Sequence, residues 1–381
     1  MVTTEDFILK NRNADVATLA LQRNRYPDVD IDFALQQIEG YQRAKDKLPT
    51  LSQIDGWWFP PRLNIEQCSS EQSAHYKSSL LSGKTLIDLT GGYGVDCYFL
   101  SRNFLHTDYV ELSSELCRIA EHNFRLLTGA ITVHQMDCTD YLKSSPSVDC
   151  IYIDPARRGK MGNKVVRLED CLPNVVEIYP LIKEHCKVLL LKLSPMLDID
   201  TALRALPDAQ RLHIVEVNGE VKELLILCNF AEHSPLRITA AQLIAIGCKS
   251  FSFTPEEEKN AVCPMADRVE RYIYEPAPSI LKAGAFKTVG DRYKVLKWDN
   301  NTHLYTSEHL VQDFPGRVFK VVERVQKKDI VGTQANLLTR NYPQDTMTLR
   351  KSLRLRDGGS RYIIGARLAG LPLLILAERL Q

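Results

Sequence analysis

Residues 86–96 read Leu-Ile-Asp-Leu-Thr-Gly-Gly-Tyr-Gly-Val-Asp, an apolar strand that runs into a glycine-rich turn and then a helix. Gly91, Gly92 and Gly94 are expected to let the backbone approach a ligand where a side chain would collide. The helix is expected to open at about Tyr93, whose free N–H groups favour an anionic ligand group. A dinucleotide fingerprint wants three glycines in G-x-G-x-x-G, but the best register here, Gly92 to Cys97, ends in cysteine. Asp96 adds a negative charge to the first helical turn. That charge repels a pyrophosphate and suits an ammonium, so a ligand with an amino-acid end fits better.

Acidic residues then recur at the ends of strands. Glu111 lies 23 residues after Asp88, close to the about 20-residue spacing at which an acid accepts hydrogen bonds from ribose hydroxyls. Asp137 follows the strand near Ile131–His134, and Asp154-Pro155 follows Cys150–Ile153. Each acid alone would also suit a helix cap. Together they mark successive stations of one strand-helix alternation, at the sheet end where open α/β proteins bind ligands.

The elements that must position these residues follow the same rhythm. A helix is predicted over Ser114 to about Leu127 and another near Val175–His185, with a buried-type strand at Val188–Lys192. A hairpin is expected from Arg211–Val217 and Val221–Cys228, because Asn218-Gly219 sits between two apolar alternations. Parallel strands closed by an antiparallel hairpin give a Rossmann-like α/β fold.

With its turn and acids in this order, the segment resembles class I S-adenosylmethionine-dependent methyltransferases, over about residues 69–230. Asp88-x-Thr90-x-Gly92-x-Gly94-x-Asp96 is similar to motif I of some small-subunit ribosomal RNA guanine methyltransferases, with Thr90 in place of the common first glycine. The resemblance implies a seven-stranded sheet and S-adenosyl-L-methionine as cofactor. It implies that Asp88, Thr90, Gly91, Gly92, Gly94 and Asp96 form the methionine end of the site, with Glu111 on the ribose and Asp137 at the adenine amino group.

Asp154-Pro155-Ala156-Arg157 resembles the [D/N]-P-P-x motif of amino-methylating enzymes, in which a carboxylate or amide and a backbone carbonyl orient an exocyclic amine. Ala156 and Arg157 depart from that motif. Methylation of an RNA base amine such as that of guanine is therefore expected, with Asp154, Pro155 and Lys192 as catalytic residues. Covalent uracil methylation would need a cysteine where Lys192-Leu193-Ser194-Pro195 stands. Ribose 2′-hydroxyl methylation through Lys77, Asp154 and Lys192 is the alternative, and a non-catalytic RNA-binding protein with a retained cofactor fold is another.

Arg157, Arg158, Lys160, Lys164 and Arg167 occur with no acid between Pro155 and Leu168, a basic run that suits a phosphate-bearing substrate, with Arg157, Arg158 and Lys160 as contacts. Net charge is +1, yet residues 315–356 hold ten Lys or Arg against three acids, an excess of +7. This asymmetry points to a nucleic-acid-facing C-terminal module on a more acidic body. Thr339–Pro343, Leu349–Leu353 and Asp357-Gly358-Gly359 look like the THUMP-like domain of a bacterial methyltransferase group, which a small ferredoxin-like piece precedes.

The expected division is an N-terminal helical segment over 1–68, the methyltransferase domain over 69–232, a linker and ferredoxin-like region over 233–318, and the THUMP-like domain over 319–381. Helix is expected at Asp32–Lys47, and Trp57-Trp58-Phe59 either stack on bases or, by preference, pack on the catalytic domain. Ser69-Ser70-Glu71-Gln72 reads as a capping box that opens a helix through Lys77. The first thirty residues carry Glu5, Asp6 and Lys10 with no sustained apolar run, so neither a secretory signal nor a membrane anchor is expected. Ten cysteines and nine histidines fall in no ligand spacing, which points to free thiols in the cytoplasm and no metal. RNA, ribosomal or transfer, is the expected partner.

Overall fold

Two apolar patterns decide the architecture. Leu86–Asp88, Cys150–Ile153 and Leu189–Leu191 are buried without interruption, as strands covered by helices on both faces must be, whereas the helix Ser114–Arg125 buries Cys117, Ile119, Ala120, Asn123 and Phe124 along one side. The computed structural model describes residues 2–127, 129–157 and 168–380. It divides into one unit of residues 1–210 and 224–234 and a second of 211–223 and 235–381.

In the first unit the strands are β1 (Thr85–Asp88), β2 (His106–Glu111), β3 (Ile131–Gln135), β4 (Val148–Ile153), the short pair β5 (Ala156–Arg157) and β6 (Cys171–Leu172), and β7 (Cys186–Leu193). β1 lies between β2 and β4, β3 flanks β2, and β7 flanks β4, all in parallel register. The chain then forms β8 (Ala209–Val217) and β9 (Glu220–Asn229). β9 runs antiparallel to β7, and the turn between β8 and β9 carries φ 53 at Asn218 and φ 77 at Gly219, as a two-residue hairpin loop requires. This doubly wound arrangement places the switch point between β1 and β4, where the crevice beyond the strand ends receives ligands.

The N-terminal residues form helices Thr4–Asn11, Val16–Leu21, Ile31–Ala44, Arg62–Gln67 and Glu71–Ser78. Trp57 and Phe59 join an apolar cluster with Tyr93, Val95, Phe99 and Ile119, and the Trp57 indole N–H donates to the Tyr93 hydroxyl at 2.6 Å. Trp58 stacks on His122 at 3.8 Å. These aromatics pack on the helices beside the glycine-rich turn, the preferred of the two uses. The capping box did not form as expected: Ser70 caps the helix, and the Glu71 carboxylate accepts instead from the Thr50 and Leu51 amides.

In the second unit β8 pairs in parallel with β10 (Arg237–Leu243), and β10 pairs antiparallel with β11 (Cys248–Phe253). The strand run therefore continues beyond the hairpin at which it was expected to end. A separate seven-stranded sheet follows, built from β12 (Tyr272–Pro276), β13 (Leu296–Lys297), β14 (Tyr305–Ser307), β15 (Gly316–Val325), β16 (Asn336–Arg340), β17 (Arg361–Leu368) and β18 (Leu371–Arg379), in the order β13-β14-β12-β15-β18-β17-β16. One core unites Ile273, Trp298 and Leu304 with Phe319, Leu338, Ile364 and Ala377, so a single sheet and core run across residue 318. Among the described residues no helix is long and apolar enough to cross a membrane.

Candidate active site

Thr90 fastens the glycine turn to the neighbouring strand end. Its amide donates to Asp88 Oδ1 at 3.0 Å, and its hydroxyl accepts from the Asp154 amide at 2.6 Å. The Leu89 amide donates to the Tyr152 carbonyl, so two bonds hold the ends of β1 and β4 together, one of them through the Thr90 hydroxyl. A glycine at position 90 would lose the hydroxyl link.

The three glycines serve different needs. A Cβ on Gly91 would stand 2.1 Å from the Tyr109 ring, and one on Gly94 would stand 2.8 Å from Phe124, so both are fixed by the protein's own packing and not by close approach of a ligand. Gly92, with φ +54, has nothing nearer than the Thr90 carbonyl at 3.8 Å; its open side is the one available to a ligand. Gly94 has φ 85, which is left-handed and outside a right-handed helix. The helix therefore begins at Val95 and runs to Ser101, two residues later than expected.

Among the acids, Asp88 is buried, and burial pushes its carboxyl well above the ordinary range, with the Thr90 amide opposing and the neighbouring Asp96, Asp154 and Glu111 reinforcing the shift. Asp96 is buried as well. Its Oδ2 accepts from the Ser69 hydroxyl at 2.8 Å and the Tyr152 hydroxyl at 2.7 Å, and Lys77 Nζ lies 3.2 Å from Oδ1. Burial raises the Asp96 carboxyl, but Lys77 and then Lys192 outweigh it, so the group is held below its ordinary value. The ammonium that sequence assigned to a ligand is thus supplied by the chain.

Glu111 accepts the Gly92 amide at 3.0 Å and the Ser113 amide at 2.8 Å on its two oxygens, which sets a carboxylate against the open side of the turn. Asp137 caps the helix Cys138–Ser144, accepting from the Thr139 and Asp140 amides at 2.8 and 3.3 Å, and it is exposed. The Met136 amide donates to the Glu111 carbonyl, tying that cap to the end of β2.

Asp154 is partly exposed and ion-paired to Lys192, whose side chain is largely buried. Pro155 behind it is buried. Thus Asp88, Thr90, Asp96, Asp154 and Lys192 form one bonded or electrostatically coupled group around the switch point. Arg157 lies in β5, while Arg158 and Lys160 lie outside the described residues. Ser69 and Tyr152 were missed as partners of Asp96. The usable signal was Asp96 itself, a carboxylate in the inward first turn that must find a cation or donors when buried. The buried Lys77 ammonium is bound to Ser69 and Asp96. Cys68 lies within electrostatic reach of Lys77, Asp96 and Lys192, and burial pushes its thiol up to about 11. It is no thiolate nucleophile at neutral pH.

The sheet order and the antiparallel last pairing are those of a class I methyltransferase. Residues 272–315 match a family described as a ferredoxin-like domain, and residues 316–379 match one described as THUMP domain-like. The crystal structure of a protein assigned as a methyltransferase from Porphyromonas gingivalis W83 is 32% identical, covers 99% of this chain and 98% of its own, and superposes with a TM-score of 0.89. The chain belongs to the same family, that of class I methyltransferases, and carries ferredoxin-like and THUMP-like segments on its C-terminal side. Among more distant structures, the T. thermophilus 16S rRNA N2 G1207 methyltransferase, in complex with AdoMet and guanosine, is 13% identical over 45% of this chain and 43% of its own, with a TM-score of 0.33. TrmK of M. capricolum, in complex with S-adenosyl-homocysteine, is 13% identical over 42% of this chain and 69% of its own, also at 0.33. Likeness of that depth says nothing further about this chain. No curated protein sequence matches it.

Proposed function

We propose that this methyltransferase takes its methyl group from S-adenosyl-L-methionine and delivers it to RNA, at an exocyclic base amine such as that of guanine. When bound, the cofactor supplies an electrophilic methyl on a sulfonium. The residues present fit it. Glu111 offers two carboxylate oxygens for ribose hydroxyls, held beside Gly92 by that residue's own amide. Gly92 leaves open backbone for the methionine half, and exposed Asp137 can accept from the adenine amino group. Asp88, Thr90, Gly91, Gly94 and Asp96 act one layer back, shaping the turn.

The observation that carries the reading is Asp154, a partly exposed carboxylate at the switch point, fixed through its own amide to Thr90 and through its side chain to Lys192. A carboxylate there accepts hydrogens from an amine and orients its lone pair; positioning of this kind is what an in-line displacement needs. Lys192 holds that carboxylate in place through the ion pair, and Pro155 restricts the backbone that presents it. RNA as substrate is supported by the +7 excess over 315–356 and by the THUMP domain-like segment.

The Lys192–Asp154 contact also favours a second reading, a ribose 2′-hydroxyl acceptor whose proton Lys77, Asp154 and Lys192 would handle. Methylation mapping of cellular RNA with and without the protein tests both readings. Loss of a base-amine mark supports the first, loss of a ribose mark the second, and an unchanged RNA methylation pattern excludes both.

A further inference from the structure

The second unit contains a cavity of about 350 Å³ whose wall includes Phe286, Asn301, His303, Thr339, Arg340 and Asn341. That volume falls in the range of small-molecule sites, about 300–1,000 Å³. Residues from both the ferredoxin-like and the THUMP domain-like segments line it. Four observations give it a chemical character.

His303 stacks on Phe286 with ring centroids 3.8 Å apart and an interplanar angle of 20°, so the wall presents a planar aromatic pair. Arg340 sends Nε and Nη2 to one oxygen of buried Glu275, at 2.9 and 2.6 Å. The other oxygen of Glu275 takes Arg317 Nε at 2.6 Å. One carboxylate thus serves two guanidiniums, leaving a net positive charge and three N–H donors of Arg340 uncommitted to it.

Burial first, then the cations Lys297 and Arg340, lower the pKa of His303 to about 4. Its imidazole is neutral at pH 7, and the cavity has a positive field that suits an anion. His303 Nδ1 is buried with no hydrogen-bond partner among the described residues. Finally, His303 and Asn341 have φ of 51 and 52. Histidine and asparagine are among the residues that adopt this conformation most readily.

A ring platform, a phosphate-competent guanidinium, and amide and hydroxyl groups at one opening describe a nucleotide. We propose that this cavity holds one nucleotide of a single-stranded RNA, its base against the His303–Phe286 pair and its phosphate at Arg340. The proposal rests on the RNA reading above and assigns that RNA a grip within the second unit.

The test uses the full-length protein, a mixed-sequence RNA decamer carrying 2-aminopurine, and adenosine monophosphate as the free-nucleotide probe. His303→Asn removes the ring and tolerates positive φ, and Phe286→Leu removes the platform while keeping an apolar side chain. Both should weaken RNA binding at least tenfold and abolish the stacking quench of 2-aminopurine, since one base on an aromatic surface contributes about 1–3 kcal/mol. S-adenosylmethionine affinity and the thermal midpoint should be unchanged, which establishes that the variants are folded. Wild-type RNA affinity and quench in both variants would overturn the cavity assignment and leave the RNA reading standing. Adenosine monophosphate binding lost in His303→Asn, with RNA binding unchanged, would make the ligand a free nucleotide and overturn the proposal. No RNA binding by the wild-type protein would overturn both the proposal and the reading on which it rests.

Discussion

Lys77 and Asp96 form a buried ion pair, 3.2 Å from Nζ to Oδ1, in which the lysine side chain is wholly inaccessible and the aspartate side chain is 10% exposed. The pair joins the helix Glu71–Ser78 to the first turn of the helix that follows the glycine loop. Ser69 bridges the two charges, accepting from Lys77 and donating to Asp96. The N-terminal cover and the cofactor turn are therefore one electrostatic unit.

Breaking the pair on one side should leave an uncompensated charge in the core. Lys77→Met is expected to lower stability by about 3–5 kcal/mol, whereas Lys77→Met with Asp96→Asn should recover much of the loss. Denaturant unfolding of the single and double variants measures both. Equal stability of Lys77→Met and wild type would mean that Asp96 is uncharged in the folded protein, against the balance drawn above.

Glu111 is expected to carry cofactor affinity. Glu111→Gln keeps an acceptor for the Gly92 amide but removes the charge that would strengthen bonds to ribose hydroxyls, and charge-assisted bonds are worth about 1.5–3 kcal/mol. Calorimetry should show S-adenosylmethionine bound at least tenfold more weakly. Undiminished affinity in a folded variant would remove Glu111 from the site.

If Asp154 orients the acceptor as proposed, it should act in turnover more than in cofactor binding. Asp154→Ala is expected to slow single-turnover methyl transfer about 100-fold or more with little change in cofactor affinity. Lys192→Met removes the cation that holds the carboxylate and should slow transfer too, with little change in cofactor affinity. A wild-type transfer rate in Lys192→Met would make the ion pair structural only.

The residues that were legible in sequence are those whose neighbours are near in the chain or whose pattern is periodic. β1, β4 and β7 could be read as apolar runs, and the turn could be read from Gly92 and Gly94. The reasons behind the glycines could not. Gly91 answers to Tyr109 and Gly94 to Phe124, contacts made across 18 and 30 residues that no local pattern encodes. The partners of Asp96 were hidden for the same cause: Ser69, Lys77 and Tyr152 meet it from three elements. Beyond the hairpin, β10 follows β9 after a segment containing Pro235, and its parallel pairing to β8 has no short-range signature.

Acid should weaken the second unit through His213, which is 7% exposed and whose pKa burial, and then Arg211, lower to about 4. The folded protein therefore holds this ring neutral while the unfolded chain takes up a proton near pH 6.5. Its contribution to stability is full above that pH and is lost progressively as pH falls from about 6.5 to about 4. Thermal midpoints of wild type and His213→Gln across that window should converge towards the acid end. A constant difference across the window would show that His213 titrates alike in both states.

The C-terminal charge can be tested by its salt dependence. Of the ten cations over 315–356, Arg317 and Arg340 are committed to Glu275 and Arg350 to Asp357. Lys320, Arg324, Lys328, Lys351, Arg354 and Arg356 are exposed. If these grip phosphates, each contact adds about −0.7 to the slope of log affinity against log salt for a single strand. Replacing Lys328, Lys351 and Arg356 together by glutamine should then weaken RNA binding most at low salt and flatten the slope by about 2. Substitution is a better test than truncation after Phe230, because that cut would strip β10 from β8 and confuse lost contacts with lost structure. An unchanged slope, with S-adenosylmethionine binding intact, would mean that this charge keeps the surface solvated and takes no part in holding the substrate.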